Sequence, residues 1–171
     1  MTERNNVVTF KGNPLTLIGD ELTVGQAAPD VALLGNDLAE VNLADFRGKV
    51  CVISVVPSLD TPVCDAQTRR FNREAAQLGD DVVILTVSMD LPFAQARWCG
   101  AAGIDAVKTL SDHRGGAFGE AWGVLIEELR LLARAVFVVD RDGVVRYAGI
   151  VPEVTDEPDY DEVTQAVRSL I

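Results

Sequence analysis

Val55-Val56-Pro57-Ser58-Leu59-Asp60-Thr61-Pro62-Val63-Cys64-Asp65-Ala66-Gln67-Thr68-Arg69-Arg70-Phe71 joins a strand to a helix and decides how the rest of the chain is read. The residues leading into it, from Val50 to Val56, are apolar and mostly β-branched, as in a strand buried on both faces. Beyond it, Cys64, Thr68, Phe71, Ala75 and Leu78 recur at helical spacing and form one stripe. Pro57-Ser58-Leu59-Asp60 breaks the strand, Asp60 or Thr61 is placed to cap the helix, and Pro62 suits its first turn. Cys64 therefore falls in that first turn, where free backbone N–H groups and the helix dipole favour an anion.

An ordinary thiol has a pKa of ~8.5, and lowering it by ~2 units at a helix start would raise the nucleophilic fraction roughly thirtyfold. The alternative is a small apolar residue on a core face, since free cysteine is among the most buried residue types. Position alone leaves both readings open.

The flanking sequence is an alternation of strands and helices. Val7–Phe10 and Leu15–Ile18 flank the turn cluster Lys11-Gly12-Asn13-Pro14 and predict an N-terminal hairpin over about residues 7–18. Short strands follow at Val31–Leu34 and Glu40–Leu43. After the Cys64 helix come a buried strand at Asp81–Ser88, a helix from Pro92 to about Cys99, a brief strand at Ala106–Leu110 and a short helix at Gly116–Trp122. Ala135–Val139 and Val144–Val151 pair around Asp140-Arg141-Asp142-Gly143, a strong turn signal, and a last helix carries Val163, Ala166, Val167 and Leu170 on one face. Such an order implies a largely parallel sheet covered on both sides. Closed by an antiparallel hairpin and a helix, it predicts an α/β, thioredoxin-like fold: a mixed central sheet flanked by helices. With no repeat, low-complexity tract or linker, residues 1–171 read as a single domain.

Composition narrows the function. Fifteen Lys and Arg against 26 Asp and Glu give a net charge of −11, which argues against nucleic acid or an anionic membrane as a partner. No apolar run approaches a membrane span and Met1–Asn6 lacks a signal-peptide core, so the expected compartment is the cytoplasm. There, three cysteines are poor material for a structural disulfide framework, and a pair that oxidises is more readily catalytic. Cys51 lies mid-strand with no activating neighbour and reads as inert packing. His113 is the only histidine, and the chain shows no ligand spacing for a metal; a surface-loop histidine is the simpler reading. Phe93, Trp98, Phe118 and Trp122 read as core rather than as the lining of an alkyl pocket.

Pro57-x3-Thr61-x2-Cys64 resembles the PxxxTxxC signature of the peroxiredoxins, and Pro57 to Cys64 as a whole resembles the thiol peroxidase branch, the atypical two-cysteine peroxiredoxins. Ser88-Met89-Asp90-Leu91-Pro92-Phe93-Ala94-Gln95-Ala96-Arg97-Trp98-Cys99 and Leu131–Asp140 match that branch too. The resemblance runs nearly end to end.

It implies a thiol peroxidase that uses no metal, haem or flavin and reduces hydrogen peroxide and organic hydroperoxides. By this likeness Cys64 is the peroxidatic nucleophile, oxidised to a sulfenic acid, and Cys99 the resolving thiol that forms an intramolecular disulfide with it. Thr61 is expected to set its hydroxyl against the sulfur and Pro57 to shape the pocket. Arg134, which read by itself would reach solvent at a strand start, is expected beside the sulfur. The implied partners are thioredoxin or a similar dithiol as reductant, and a second copy in a homodimer. A disulfide needs Cα atoms within ~7 Å, so both helix ends are expected to unwind locally on oxidation.

Three rival functions fit the residues less well. Cys64-x5-Arg70 satisfies the pattern of a cysteine phosphatase, but the intervening residues hold no glycine and fit a helix better than a phosphate cradle. A disulfide exchanger normally carries C-x-x-C at the helix start, and only one Cys is present there. A non-enzymatic binding module on the same scaffold would leave Cys64 unreactive.

Overall fold

The computed structural model describes all 171 residues. Its centre is the predicted apolar strand, β5 (Val50–Val55), in which every residue is buried. A strand this apolar needs neighbours on both edges and cover on both faces, and it has them. It pairs in parallel with β6 (Val82–Ser88), which pairs in parallel with β7 (Lys108–Ser111). On the other edge β10 (Ala135–Val139) runs antiparallel to β5 and turns into β11 (Val145–Ile150) through the Asp-Gly turn. With β3 (Ala32–Leu34) and β4 (Glu40–Asn42) the sheet has seven strands in the order β11-β10-β5-β6-β7-β3-β4.

The sheet is mixed, but the expectation of a largely parallel one is corrected: only β5, β6 and β7 are mutually parallel. The reason lies in the connections. The two long crossovers carry helices, whereas β3–β4 and β10–β11 are hairpins, which can only be antiparallel.

One face of the sheet is covered by α1 (Pro62–Leu78) and α4 (Tyr160–Arg168), through Phe71, Val163 and Val167 packed on Val50, Val52, Ile84, Val136 and Val138. Full burial of each large apolar side chain there is worth about 1.5–3 kcal/mol. The second crossover helix, α2 (Pro92–Ala102), lies beside α1 and ends at Gly103, whose left-handed backbone (φ 69°) lets its N–H return to the Cys99 carbonyl.

The opposite face carries a second sheet that sequence reasoning missed. The N-terminal hairpin, β1 (Glu3–Phe10) and β2 (Asn13–Ile18), is extended by two-residue strands β8 (Leu125–Ile126) and β9 (Leu131–Leu132). Leu15, Leu17, Leu125, Ile126 and Leu132 pack on Ile53, Val55, Leu85 and Phe137. The short helix α3 (Ala117–Ala121) closes this layer. It is started by the buried Asp112 carboxylate, which accepts the N–H groups of Phe118 (3.0 Å) and Gly119 (2.9 Å). Residues 43–46, read partly as strand, form a turn of 3-10 helix with Asp45 bonded back to the Asn42 N–H.

Register places the site. Val55, at the end of β5, pairs with Val87 on one side and Ala135 on the other. The end of β6 and the beginning of β10 therefore meet at the edge of the sheet where α1 starts. Arg134, one residue ahead of Ala135, is delivered to the mouth of α1 by strand direction alone.

Candidate active site

Cys64 sits in the first turn of α1 with no exposed surface, packed with Val56 and Leu59 and against Trp98. Its sulfur accepts one hydrogen bond, from Arg134 Nη2 at 3.2 Å. Arg134 is only 2% exposed, so the reading that would send it to solvent is excluded. Its other donors are also used: Nη1 donates to Gln67 Oε1 (2.9 Å) and Nε to the Val154 carbonyl (2.8 Å). Gln67 in turn donates from Nε2 to Ser54 Oγ (2.7 Å), which anchors the amide to β5.

This arrangement has an electrostatic consequence. A buried guanidinium that lacks an anion costs several kcal/mol. Two of its three bonded partners here are neutral oxygens; the third, the Cys64 thiol, is the only one that can carry negative charge. The guanidinium is thereby placed to offset negative charge that develops at that position.

Thr61 is the residue ahead of the helix, as predicted, but its side chain does not cap. Its hydroxyl donates to the Ser58 carbonyl at 3.0 Å, and the capping bond is not formed. The turn is tight enough that the hydroxyl finds the nearer carbonyl. Pro57 is buried at the end of β5, and Pro62 opens the helix.

The turn is also held from outside. Asp90, just after β6, accepts Ser58 Oγ (2.7 Å), the Leu59 N–H (2.8 Å) and Ser88 Oγ (2.7 Å). Sequence reasoning passed over Gln67 and Asp90. Gln67 stands three residues after Cys64, on the stripe that also holds Thr68 and Phe71, and a polar residue on a buried stripe was the available signal. Asp90 carried none, because its partners at Ser58 and Leu59 lie more than 30 residues away in the chain.

Cys99, in the last turn of α2, is half-buried and faces Thr109 of β7, with Sγ and Oγ1 3.6 Å apart. It is the neighbouring residue, Trp98, that meets the Cys64 cluster. Both cysteines are free thiols. Burial pushes the Cys99 thiol up, partly offset by the hydrogen bond to Thr109. Cys51 is buried in the opposite core, which pushes its thiol up to about 11.

Of the four aromatic residues, Phe118 and Trp122 belong to that far core and Phe93 is exposed, so only Trp98 is near the sulfur. His113 is a half-buried loop residue whose N–H donates to Ser111 Oγ. Arg70 is drawn away from Cys64: it pairs with Glu74 (2.7 Å) and lies over the Tyr160 ring (4.6 Å). Residues 65–69 are helical, so the phosphatase reading has no cradle, and its own arginine, Arg70, is engaged elsewhere.

These features place the chain in a broad class first: the redoxin family matches residues 23–164. The sequence is 62% identical over 164 residues to a thiol peroxidase of Bacillus subtilis (strain 168), covering 96% of this chain and 98% of that protein. It is 56% identical over 163 residues to a thiol peroxidase of Staphylococcus aureus (strain MRSA252), covering 95% and 98%. A peroxiredoxin-like protein from Aquifex aeolicus superposes with a TM-score of 0.90 at 47% identity, over 96% of each chain. A thiol peroxidase from Chromobacterium violaceum, at 22% identity, shares the fold with a TM-score of 0.84 over 95% of each chain. The chain belongs to the thiol peroxidases within the redoxin family.

Proposed function

We propose that this thiol-dependent peroxidase of the peroxiredoxin type reduces hydrogen peroxide and organic hydroperoxides at Cys64. The observation that carries the assignment is the buried Arg134 guanidinium 3.2 Å from Sγ. The Cys64 thiolate attacks one peroxide oxygen, the O–O bond breaks, and the sulfur gives up two electrons to become a sulfenic acid. The departing alkoxide or hydroxide leaves as alcohol or water once protonated, and Arg134 offsets its developing charge. Gln67 and the Val154 carbonyl keep the guanidinium in place. Thr61 and Pro57 shape the entrance, and a peroxide enters only when the shell of Val56, Leu59 and Trp98 yields, since the sulfur has no exposed surface.

Cys99 then supplies the second sulfur. Its thiolate attacks the sulfenic acid, the S–S bond forms and the S–O bond breaks, and the oxygen leaves as hydroxide that takes a proton from solvent to become water. Because Cys99 faces Thr109, this step has the last turn of α2 and the first turn of α1 unwind locally. An external dithiol of the thioredoxin kind reduces the product, in a reducing compartment such as the cytoplasm. Family resemblance also implies a homodimer. The reaction as written uses no cofactor.

The test is a Cys99→Ser variant with one equivalent of peroxide and a sulfenic-acid-selective probe. Labelling at Cys64 and poor turnover with thioredoxin are expected. Normal cycling of this variant would refute resolution by Cys99, and an untouched Cys64 would refute the site itself.

A further inference from the structure

The two halves of α2 are held very differently. Near its start Gln95 is fully buried, and its amide donates to Ser88 Oγ (3.0 Å) and to the Leu110 carbonyl (2.9 Å). Asp90, just upstream, ties the same end to the Cys64 loop. The half that carries Cys99 has no comparable buried anchor. Its polar attachment to α1 runs through Asp65 and Arg69. Trp98 Nε1 donates to Asp65 Oδ1 (3.0 Å), while Arg69 Nε pairs with Asp65 Oδ2 (2.8 Å). Arg69 also donates from Nη1 to the Ala102 carbonyl (3.4 Å), and its guanidinium carbon lies 5.7 Å from the Trp98 ring centroid. The Arg69 and Asp65 side chains are 42% and 34% exposed, so each link is weak alone and readily broken.

We propose that Asp65, Arg69 and Trp98 are positioning residues, a clamp between α1 and α2 that sets how fast Cys99 leaves Thr109 and reaches the oxidised Cys64. This rests on the roles given above to the two cysteines. Asp65 and Arg69 touch neither peroxide nor the leaving oxygen and act through the position of α2; Trp98 also covers the sulfur, so Arg69 carries the decisive variants. While it holds, the sulfenic acid persists. A second peroxide then oxidises that sulfur by two more electrons to a sulfinic acid and is itself reduced to water or alcohol. The three residues therefore fix the peroxide concentration at which the enzyme is lost to overoxidation.

Quenched-flow mass spectrometry separates the steps, giving a second-order rate for Cys64 oxidation and a first-order rate for disulfide formation. Arg69→Gln is expected to speed disulfide formation about fivefold, the order of one part-buried hydrogen bond and one exposed ion pair lost. The peroxide concentration that half-converts Cys64 to sulfinate should rise in the same ratio. Trp98→Phe, which keeps a ring but loses the donor, should also form the disulfide faster. Arg69→Lys, which retains the ion pair, should restore most of the original rate. A residue of merely structural importance would lower Tm without this split. Disulfide formation at one common rate in all four proteins, or slower in the two clamp-breaking variants, would overturn the clamp and leave the cysteine roles standing. Oxidation of the unaltered protein that leaves Cys99 a free thiol would overturn both.

Discussion

The start of α1 and the end of α2 each present a cysteine, and their surroundings have little in common. Cys64 has no exposed surface, accepts a hydrogen bond from a buried guanidinium, and stands on a network that runs through Gln67 to β5 and through Arg134 to the Val154 carbonyl. Cys99 is half-buried beside a neutral hydroxyl, on a helical turn attached by partly exposed groups. On the roles proposed above, the first sulfur has to be reactive before anything binds, and its charge partner is built into the sheet edge. The second has to travel, and its turn is secured by partly exposed contacts.

The contrast is broken most severely at Arg134. Arg134→Met removes the charge and leaves Gln67 Oε1 and the Val154 carbonyl without their donor, each a loss of about 1–3 kcal/mol. Stopped-flow measurement should show peroxide reduction at Cys64 falling about 10²–10³-fold, the order seen when a preorganised oxyanion donor is deleted. Thermal unfolding should show a lower Tm as well. A variant that reacts at the original rate would mean that the guanidinium is structural only.

Gln67→Leu tests the same end more gently. It retains Arg134 but releases one of its three anchors, and a loss of about tenfold in the same assay is expected from one misaligned, buried hydrogen bond to a charged group.

At the other end the expected effect is one of pH. Burial holds the Cys99 thiol above its ordinary value, so its thiolate fraction is still climbing at the pH where an ordinary thiol is half ionised. Iodoacetamide labelling of Cys99 in the reduced protein should therefore rise with pH and show no plateau below that point. An early plateau would make the two sulfurs more alike than the geometry allows.

Cys51→Ser should produce the smallest change. With its thiol pushed up to about 11 in the far core, peroxide turnover should stay within about twofold, and only stability should decline, by the ~1–3 kcal/mol of a buried unpaired hydroxyl.

Much of this was legible in the sequence because local chemistry and global fold agree there. The apolar run at Val50–Val56, the Pro-bounded turn and the stripe through Cys64 and Phe71 fixed β5, α1 and the sulfur's place at the helix start. Arg134 was legible only through the family pattern. Taken alone, an arginine at a strand start reads as solvated, and nothing local says that β10 begins where β5 ends. The bond from the Thr61 hydroxyl to the Ser58 carbonyl was not legible, because a hydroxyl in a tight turn has several carbonyls within reach. The second sheet was missed since β8 and β9 have two residues each, too few for any period to show. The Asp65–Trp98 bond and the Asp90 network join segments more than 30 residues apart, so no pattern within a single element could have announced them.

The central claim is that Cys64 reacts first and Cys99 comes to it. Disulfide mapping by mass spectrometry after one equivalent of hydrogen peroxide tests it most directly. The expected product is a single intramolecular Cys64–Cys99 bond with Cys51 still a free thiol. A bond to Cys51, a disulfide between chains, or three free cysteines would contradict the account.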